Sequence, residues 1–168
     1  DQRDVTLSLA RFNASSDAPR HYLTLFCDPS YPPEMRGMAG LLVKNVLQRH
    51  STSQQSQTIS EGWVGMVVQV VTKPGEAQFV VSTAATILAV MMARRLDVWP
   101  SVLATLLHAI NAQQGSVIQQ CLLAVERVLE EIAGVNIAVR YDGLWSVCLA
   151  LLGSDTISTT QNTITINC

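Results

Sequence analysis

The chain has 168 residues, of which 48% are hydrophobic and 14% charged, and its formal net charge at pH 7 is −2. This composition excludes a chain that is disordered as a whole. The slightly negative charge gives no reason to expect a nucleic-acid partner, because phosphate binding needs a basic excess or patch. The longest apolar stretch, Phe79–Ala93, is interrupted by Ser82, Thr83 and Thr86. It is also shorter than the roughly 20 residues that span a bilayer core, so we expect a buried helix of a soluble protein and no membrane partner.

The four cysteines, Cys27, Cys121, Cys148 and Cys168, show no CxxC or Cys/His spacing typical of a metal site. Three of them lie in apolar surroundings, where a free cysteine behaves as a small hydrophobic residue. We therefore expect a reduced intracellular protein without a metal or a cofactor.

The first third of the chain contains two short apolar segments. Val5, Leu9 and Phe12 are spaced by four and three residues, which predicts the end of an amphipathic helix over Asp4–Asn13. The run His21–Cys27 is too short for its periodicity to distinguish a helix from a strand, so both remain open.

The central predicted helix is Met35–His50, which follows Pro32 and Pro33; proline is tolerated in the first turn of a helix and marks its start. One broad arc of this helix is expected to be covered by neighbours: Met35, Met38, Ala39, Leu42, Val43 and Val46. Gly37, Gly40, Lys44 and Gln48 fall on the opposite side. Because glycine costs about 1 kcal/mol relative to alanine in a helix, this strip is either a low-relief surface for a partner or a close helix contact and nothing more.

The middle of the chain predicts two further helices. Ile59–Thr72 is rich in valine, which favours a strand by propensity, but its length and lack of strict alternation predict a buried helix that ends at Lys73-Pro74-Gly75. In Glu76–Arg95, bulky apolar residues lie on one side and small residues on the other. Both faces are therefore expected to be covered.

The last predicted helices follow the same pattern. Asp97 is expected to cap a helix with Pro100 in its first turn. Ser116–Ala133 is amphipathic, and its polar arc contains Gln119, Gln120, Glu126, Arg127, Glu130 and Glu131. The segment Ser154–Cys168 has no helical period, and we predict that Thr156–Cys168 is mobile or loosely attached.

The helices recur in pairs. The second helix of each pair begins near Pro33, Gly75 and Gly115, which is a repeat of about 40 residues, typical of α-solenoids of the HEAT or armadillo type. Each unit buries little apolar surface alone, and stacking makes the core continuous. The predicted fold class is all-α, an α-solenoid of stacked helical hairpins.

Three segments resemble the N-terminal region of the importin-β (karyopherin-β) family, most closely its transportin-type members. They are LARFNASSDAPRHYLTLF at Leu9–Phe26, RGMAGLLVKNVLQRH at Arg36–His50 and WPSVLATLLHAIN at Trp99–Asn111. The central segment is similar to the family's arginine, small and apolar residues, Leu-Lys-Asn-like triplet and basic end, with Val43 at the first position of the triplet. The resemblance covers roughly Val5–Ala133.

The resemblance implies three to four HEAT repeats over residues 1–133, the first incomplete. Residues 134–168 depart from the family pattern, and we expect a partial helix and an irregular tail there. The resemblance also implies that the second helices line a concave face that binds the GTP form of the small GTPase Ran, in a transport receptor shared between cytoplasm and nucleus. Cargo would bind to repeats that this chain does not contain. Carried onto this sequence, the expected exposed contact residues are Arg36, Lys44, Gln48, Glu126, Glu130 and Glu131.

Two other functions differ in class from a transport receptor. A HEAT-repeat scaffold or adaptor that does not bind Ran fits the same pattern, because a solenoid fold serves many partners. An enzyme is the weakest option, since His21, His50 and His108 lie in separate segments without a nucleophile motif or a glycine-rich phosphate loop.

Overall fold

The computed structural model describes residues 11–12, 15, 17–50, 59–112 and 115–134, all within one compact unit, Asp1–Asn136. The described part of the chain is 83% helical and contains no strand, which confirms the all-α prediction. The helices are α1 (Ala18–Cys27), α2 (Pro33–His50), α3 (Glu61–Thr72), α4 (Gln78–Met92), α5 (Trp99–Ala112) and α6 (Ser116–Gly134), with a short 3-10 turn at Leu96–Val98.

Two predicted segments lie largely outside these ranges. Of the helix predicted over Asp4–Asn13, the structure describes only Arg11 and Phe12, which are helical. The tail predicted over residues 134–168 lies outside the described residues except for the last residue of α6.

Prolines and a serine mark the helix starts. Pro33 is the first residue of α2, and Pro19 and Pro100 stand in the first turns of α1 and α5, where a missing N–H costs nothing. Ser60 caps α3 by accepting a hydrogen bond from the Trp63 N–H at 3.3 Å. The predicted capping role of Asp97 is wrong. This residue lies inside the 3-10 turn, and its carboxylate binds Arg95 at 2.7 Å.

The valine-rich segment forms a helix. Its length predicted this structure, whereas the propensity of valine favoured a strand. Val64, Val67, Val68 and Val71 are buried at helical spacing in α3. Burial of this face against α4, α5 and α6 outweighs the modest helix propensity of valine. The helix is followed by a turn in which Gly75 adopts a φ of 74°, a conformation that glycine reaches without strain.

The helices are arranged in two layers. Each hairpin contributes one helix to each layer, because α1 packs on α2, α3 on α4 and α5 on α6. Within one layer α3 contacts α1 and α5, and within the other α4 contacts α2 and α6. Contacts are therefore made between neighbouring hairpins.

Helix α4 lies at the centre of the second layer. Ten of its fifteen residues are buried, and its neighbours are α2, α3 and α6. The bulky residues Ile87, Leu88, Met91 and Met92 and the small residues Ala85 and Ala89 are all buried. Both sides of α4 are thus covered, as predicted.

Polar side chains connect the ends of the helices. Arg94 donates a hydrogen bond to the carbonyl oxygen of Leu47 near the end of α2, and Arg95 Nη1 donates to the carbonyl oxygen of Ile59 at 2.5 Å. Gln120 was predicted on the polar arc of α6 but is buried. With the Gln120 amide turned so that its nitrogen faces these acceptors, the nitrogen donates to the carbonyl oxygens of Val71 at 3.0 Å and Lys73 at 3.3 Å, which connects α6 to the end of α3.

In the described ranges, no single helix is long and apolar enough to cross a membrane. The segments Gln78–Met92 and Leu96–Ala112 satisfy that requirement only when taken together, and they are bent by 111° at the break between them.

Candidate partner-binding surface

The two glycines of the predicted strip on α2 form helix contacts. A Cβ atom at Gly37 would lie 2.7 Å from the Phe79 ring, and one at Gly40 would lie 2.6 Å from Thr83 Cγ2 and 2.7 Å from the Phe26 ring. Both glycines are buried. Of the two interpretations of the strip, close helix packing therefore applies to Gly37 and Gly40.

The apolar arc of α2 is rotated relative to the prediction. Ala39, Val43 and Val46 are buried as expected. Met35 and Met38 were expected to be covered, yet they are 56% and 69% exposed. The reason is tertiary: the glycines admit Phe26 and Phe79, so the contact face of α2 turns toward α1 and α4 and the methionines turn outward.

The exposed apolar residues on this side of the second layer form what we call the methionine face, defined by Met35, Met38, Leu41 and Phe79. Leu41 is 54% and Phe79 47% exposed. The Phe79 ring lies against Gly37, and Leu41 follows Gly37 by one helical turn. A group of large exposed apolar side chains is typical of an interaction site, and methionine is adaptable at such surfaces.

Two predicted contact residues lie beside the methionine face. Lys44 is half-buried and Gln48 is exposed. Lys44 follows Gly40 by one turn and Gln48 follows Lys44 by another, so both line the border of the helix between its buried and exposed sides. This position leaves the amine and the amide accessible to a partner.

Arg36 is not an exposed contact residue, and that expectation is wrong. Its side chain is 3% exposed. Its Nε donates to the Phe26 carbonyl oxygen at the end of α1 at 2.9 Å, and its Nη1 donates to Glu76 Oε1 at 2.8 Å. Arg36 thus joins three segments of the fold: α1, α2 and the turn before α4. No local pattern in the sequence indicates that Arg36 and Glu76, which are 40 positions apart, would form an ion pair.

The carboxylate of Glu76 is held in its charged form. Burial raises its pKa, but the hydrogen bonds from Arg36 and from the Ala77 N–H and the charges of Arg36 and Lys73 outweigh burial, so the pKa lies below its ordinary value of 4.5. Lys73 Nζ lies 3.6 Å from Oε2, the oxygen that accepts no hydrogen bond from the described atoms. These contacts connect the α1–α2 hairpin to the turn between α3 and α4.

The acidic residues of α6 are exposed as predicted. Glu126, Glu130 and Glu131 all lie on its solvent side, and Glu130 pairs with Arg127 at 2.9 Å. Helix α4 packs against both α2 and α6. Lys44 and Gln48 on α2 and the glutamates on α6 therefore belong to two separate parts of the second layer.

Among the described cysteines and histidines, His21 and Cys27 lie on α1, His108 on α5 and Cys121 on α6. Burial raises the pKa of Cys27 to about 12, against the opposing charge of Arg36, and the pKa of Cys121 to about 11, so both thiols are uncharged near neutral pH. His21 and His108 are exposed on different helices. In the described ranges no three His, Cys, Asp or Glu residues are grouped as a metal site requires.

Comparison with protein-family models, with curated proteins and with solved structures gave no match.

Proposed function

We propose that the chain is the N-terminal Ran-GTP-binding region of a transportin-like nuclear import receptor, built as an α-solenoid of HEAT-type hairpins. In such a receptor, Ran in its GTP form docks on the second helices and promotes release of cargo held by repeats beyond this chain. The receptor would move between cytoplasm and nucleus.

The observation that carries the proposal is the layer formed by the second helices. Helices α2, α4 and α6 come from three successive hairpins and lie side by side. The first of them presents the methionine face, with Lys44 and Gln48 at its border. A protein partner gains apolar contact area at this face, and a polar rim orients it.

The charges of this layer fit a partner with charges of both signs. Lys44 supplies one cation at α2, and Glu126 and Glu131 supply anions at α6. Charges at the rim of an interface act mainly on association rate and orientation. Affinity should therefore depend more on the methionine face than on the glutamates.

The first experiment compares the binding of the chain to Ran loaded with GDP and with a non-hydrolysable GTP analogue. We expect binding to the GTP form and little to the GDP form. A scaffold that does not bind Ran would bind neither form, and that result would refute the proposal.

The second experiment tests whether the methionine face is the surface that binds Ran. Met38→Ser and Leu41→Ser should weaken binding while leaving the melting temperature unchanged, because both side chains are exposed in the free protein. The matched control is Leu25→Ser on α1, another exposed leucine, which should bind like the unmodified chain. If the α2 variants and the control bind equally well, the methionine face is not the contact.

Lys44 is tested by charge reversal. Lys44→Glu should slow association with Ran-GTP and lower the affinity, with an effect that weakens at high salt, because Lys44 lies at the rim of the methionine face. Arg20→Glu, on the exposed side of α1, is the control for net charge. Unchanged affinity of Lys44→Glu together with unchanged melting would show that Lys44 is solvated surface, and a lowered melting temperature would show that it is needed for packing.

A further inference from the structure

The methionines of the chain divide into exposed and covered ones. The sequence contains five methionines. Met35 and Met38 are more than half exposed, whereas Met91 and Met92 on α4 are fully buried, and Met66 on α3 is half-buried. Because oxidation of a sulfur by a dissolved oxidant follows its exposure, the thioether sulfurs of Met35 and Met38 are the ones that such an oxidant reaches most readily.

The described cysteines compete poorly for an oxidant. Cys121 is fully buried and Cys27 is half-buried. Burial raises the pKa of Cys27 to about 12 and that of Cys121 to about 11, so both are uncharged thiols near neutral pH. Since the thiolate and not the thiol is the nucleophile, the exposed thioethers are the more reactive of these sulfurs.

Met35 and Met38 supply half of the four side chains that define the methionine face. Met38 follows Met35 by three residues and precedes Leu41 by three, so the three side chains are neighbours on the surface of α2. The Phe79 ring from α4 lies against Gly37, the residue directly before Met38. A change of polarity at both methionines therefore alters most of this surface.

We propose that the methionine face is a reversible oxidation site, at which peroxide converts Met35 and Met38 to methionine sulfoxide and thereby prevents a protein partner from docking. Each thioether sulfur attacks one peroxide oxygen; that oxygen is transferred to the sulfur, the O–O bond breaks and the second oxygen leaves as water. The sulfur loses two electrons and the peroxide gains them. A methionine sulfoxide reductase reverses the step, because two of its thiols are oxidised to a disulfide and the sulfoxide oxygen leaves as water.

Oxidation changes the energetics of docking and leaves the fold intact. A sulfoxide oxygen accepts hydrogen bonds from water, and an apolar partner surface that covers it removes the water without supplying a donor. In the free protein both side chains are exposed to water before and after oxidation, so no buried contact is broken. The inference rests on the proposed function, because the partner whose docking is regulated is Ran in its GTP form.

The first experiment maps the oxidation and needs no partner. The folded full chain is treated with hydrogen peroxide, and peptide mass spectrometry follows the oxygen added at each methionine. We expect Met35 and Met38 to be oxidised while Met91 and Met92 are still intact. Retention on a hydrophobic-interaction column should fall as the oxidation proceeds. It should recover after treatment with two methionine sulfoxide reductases, one for each sulfoxide epimer.

The matched control is the double variant Met35→Leu/Met38→Leu. Leucine keeps the face apolar and is not oxidised, and the variant retains all four cysteines and the other three methionines. Peroxide should lower the affinity of the unmodified chain for Ran-GTP about tenfold, with recovery after reduction and no change in melting temperature. The double variant should bind equally well before and after treatment.

Three results would overturn the inference: oxidation of Met91 and Met92 as fast as Met35 and Met38, unchanged column retention of the oxidised chain, or an equal loss of Ran binding by the double variant and the unmodified chain. Failure of the proposed function is distinguishable from all three. If the untreated chain binds neither form of Ran, the proposed function and the regulation of docking both fail, whereas mapping and column retention still decide whether the methionine face is an oxidation site.

Discussion

At Gly40 of α2, side chains of α1 and α4 approach the backbone closely. The space that a side chain would occupy is filled by the Phe26 ring and by Thr83 Cγ2, and Phe26 is fully buried. At Gly37 the three atoms nearest to an added Cβ all belong to the ring of Phe79, a side chain that is half exposed and can move aside. The same residue type therefore has a different cost at the two positions.

Gly40→Ala should destabilise the protein, whereas Gly65→Ala should stabilise it. An added methyl at Gly40 overpacks a closed contact, which typically costs about 1–3 kcal/mol. At Gly65 nothing lies within 4 Å of the added atom, so only the helix propensity of alanine acts, worth about 1 kcal/mol. Urea unfolding of both variants tests this, with Gly37→Ala expected in between, and equal effects at Gly40 and Gly65 would contradict it.

The Arg36–Glu76 pair makes the free energy of unfolding depend on pH. Because the pKa of Glu76 is below its ordinary value of 4.5 in the folded protein, its ionised form stabilises the fold above that pH. The stabilisation is lost as the pH falls through the ordinary value toward the folded pKa. Asp28 and Asp97 also have lowered pKa values, so Glu76 must be isolated by comparison with a variant.

Glu76→Gln should lower the free energy of unfolding at neutral pH by about 3 kcal/mol, because Arg36 then remains buried beside a neutral group. The difference from the unmodified protein should shrink as the pH is lowered below 4.5. Unfolding curves measured from neutral to acid pH test the sign. A difference that stays constant or grows on acidification would show that Glu76 is not the titrating group.

At the scale of elements, α3 shows how packing and capping decide a helix that propensity leaves uncertain. Its valines Val64, Val67, Val68 and Val71 are buried, and Ser60 supplies an acceptor for the first turn. A glycine-containing, valine-rich helix has little intrinsic stability, so we expect its N-cap to contribute measurably.

Ser60→Ala should destabilise the protein by about 0.5–2 kcal/mol, the usual cost of removing an N-cap oxygen. Ser60→Asp retains the acceptor and should remain close to the unmodified protein. Thermal melting gives the cost, and hydrogen exchange at the Trp63 amide gives its location. If alanine and aspartate have the same effect, the Ser60 side chain is not acting as a cap.

At the scale of the whole described molecule, we expect a destabilising substitution in one hairpin to destabilise mainly the hairpins that contact it. Helix α1 packs mainly on α2 and α3, whereas α4 contacts α2, α3 and α6. In an array in which units contact their neighbours, damage at one end remains partly local, and damage at the centre spreads.

Leu23→Ala and Leu88→Ala test this difference, since both leucines are almost fully buried and each truncation should cost about 2–5 kcal/mol. Hydrogen exchange should speed up in α1 and α2 for Leu23→Ala, with a smaller change in α6. For Leu88→Ala it should speed up in α2, α3 and α6 alike. An equal effect of Leu23→Ala on α1 and α6 would show instead a single cooperative unit.

Local patterns in the sequence were enough for the helices from α2 onward, whereas the type of α1 was left open because the run His21–Cys27 is too short for its periodicity to decide. Three kinds of signal predicted helices where the structure has them: prolines before Met35 and Val102, apolar residues at spacings of three and four, and turn residues at Gly75 and Gly115. These signals are local, because each acts within a few residues of the chain. The length of the valine-rich segment also predicted a helix correctly. The same patterns predicted that both sides of α4 would be covered.

The orientation of α2 was decided only by tertiary structure. A helical wheel places Met35 and Met38 with the apolar residues, but Phe26 from α1 and Phe79 from α4 pack at the glycines and turn the methionines outward. Arg36 was expected on the surface from the sequence resemblance, and Gln120 was placed there by the polar arc of its helix. Both are buried, because Glu76 and the end of α3 supply partners. A wheel ranks residues of one helix by polarity, whereas burial depends on which side chains of distant segments meet them, and that is determined when the hairpins pack together.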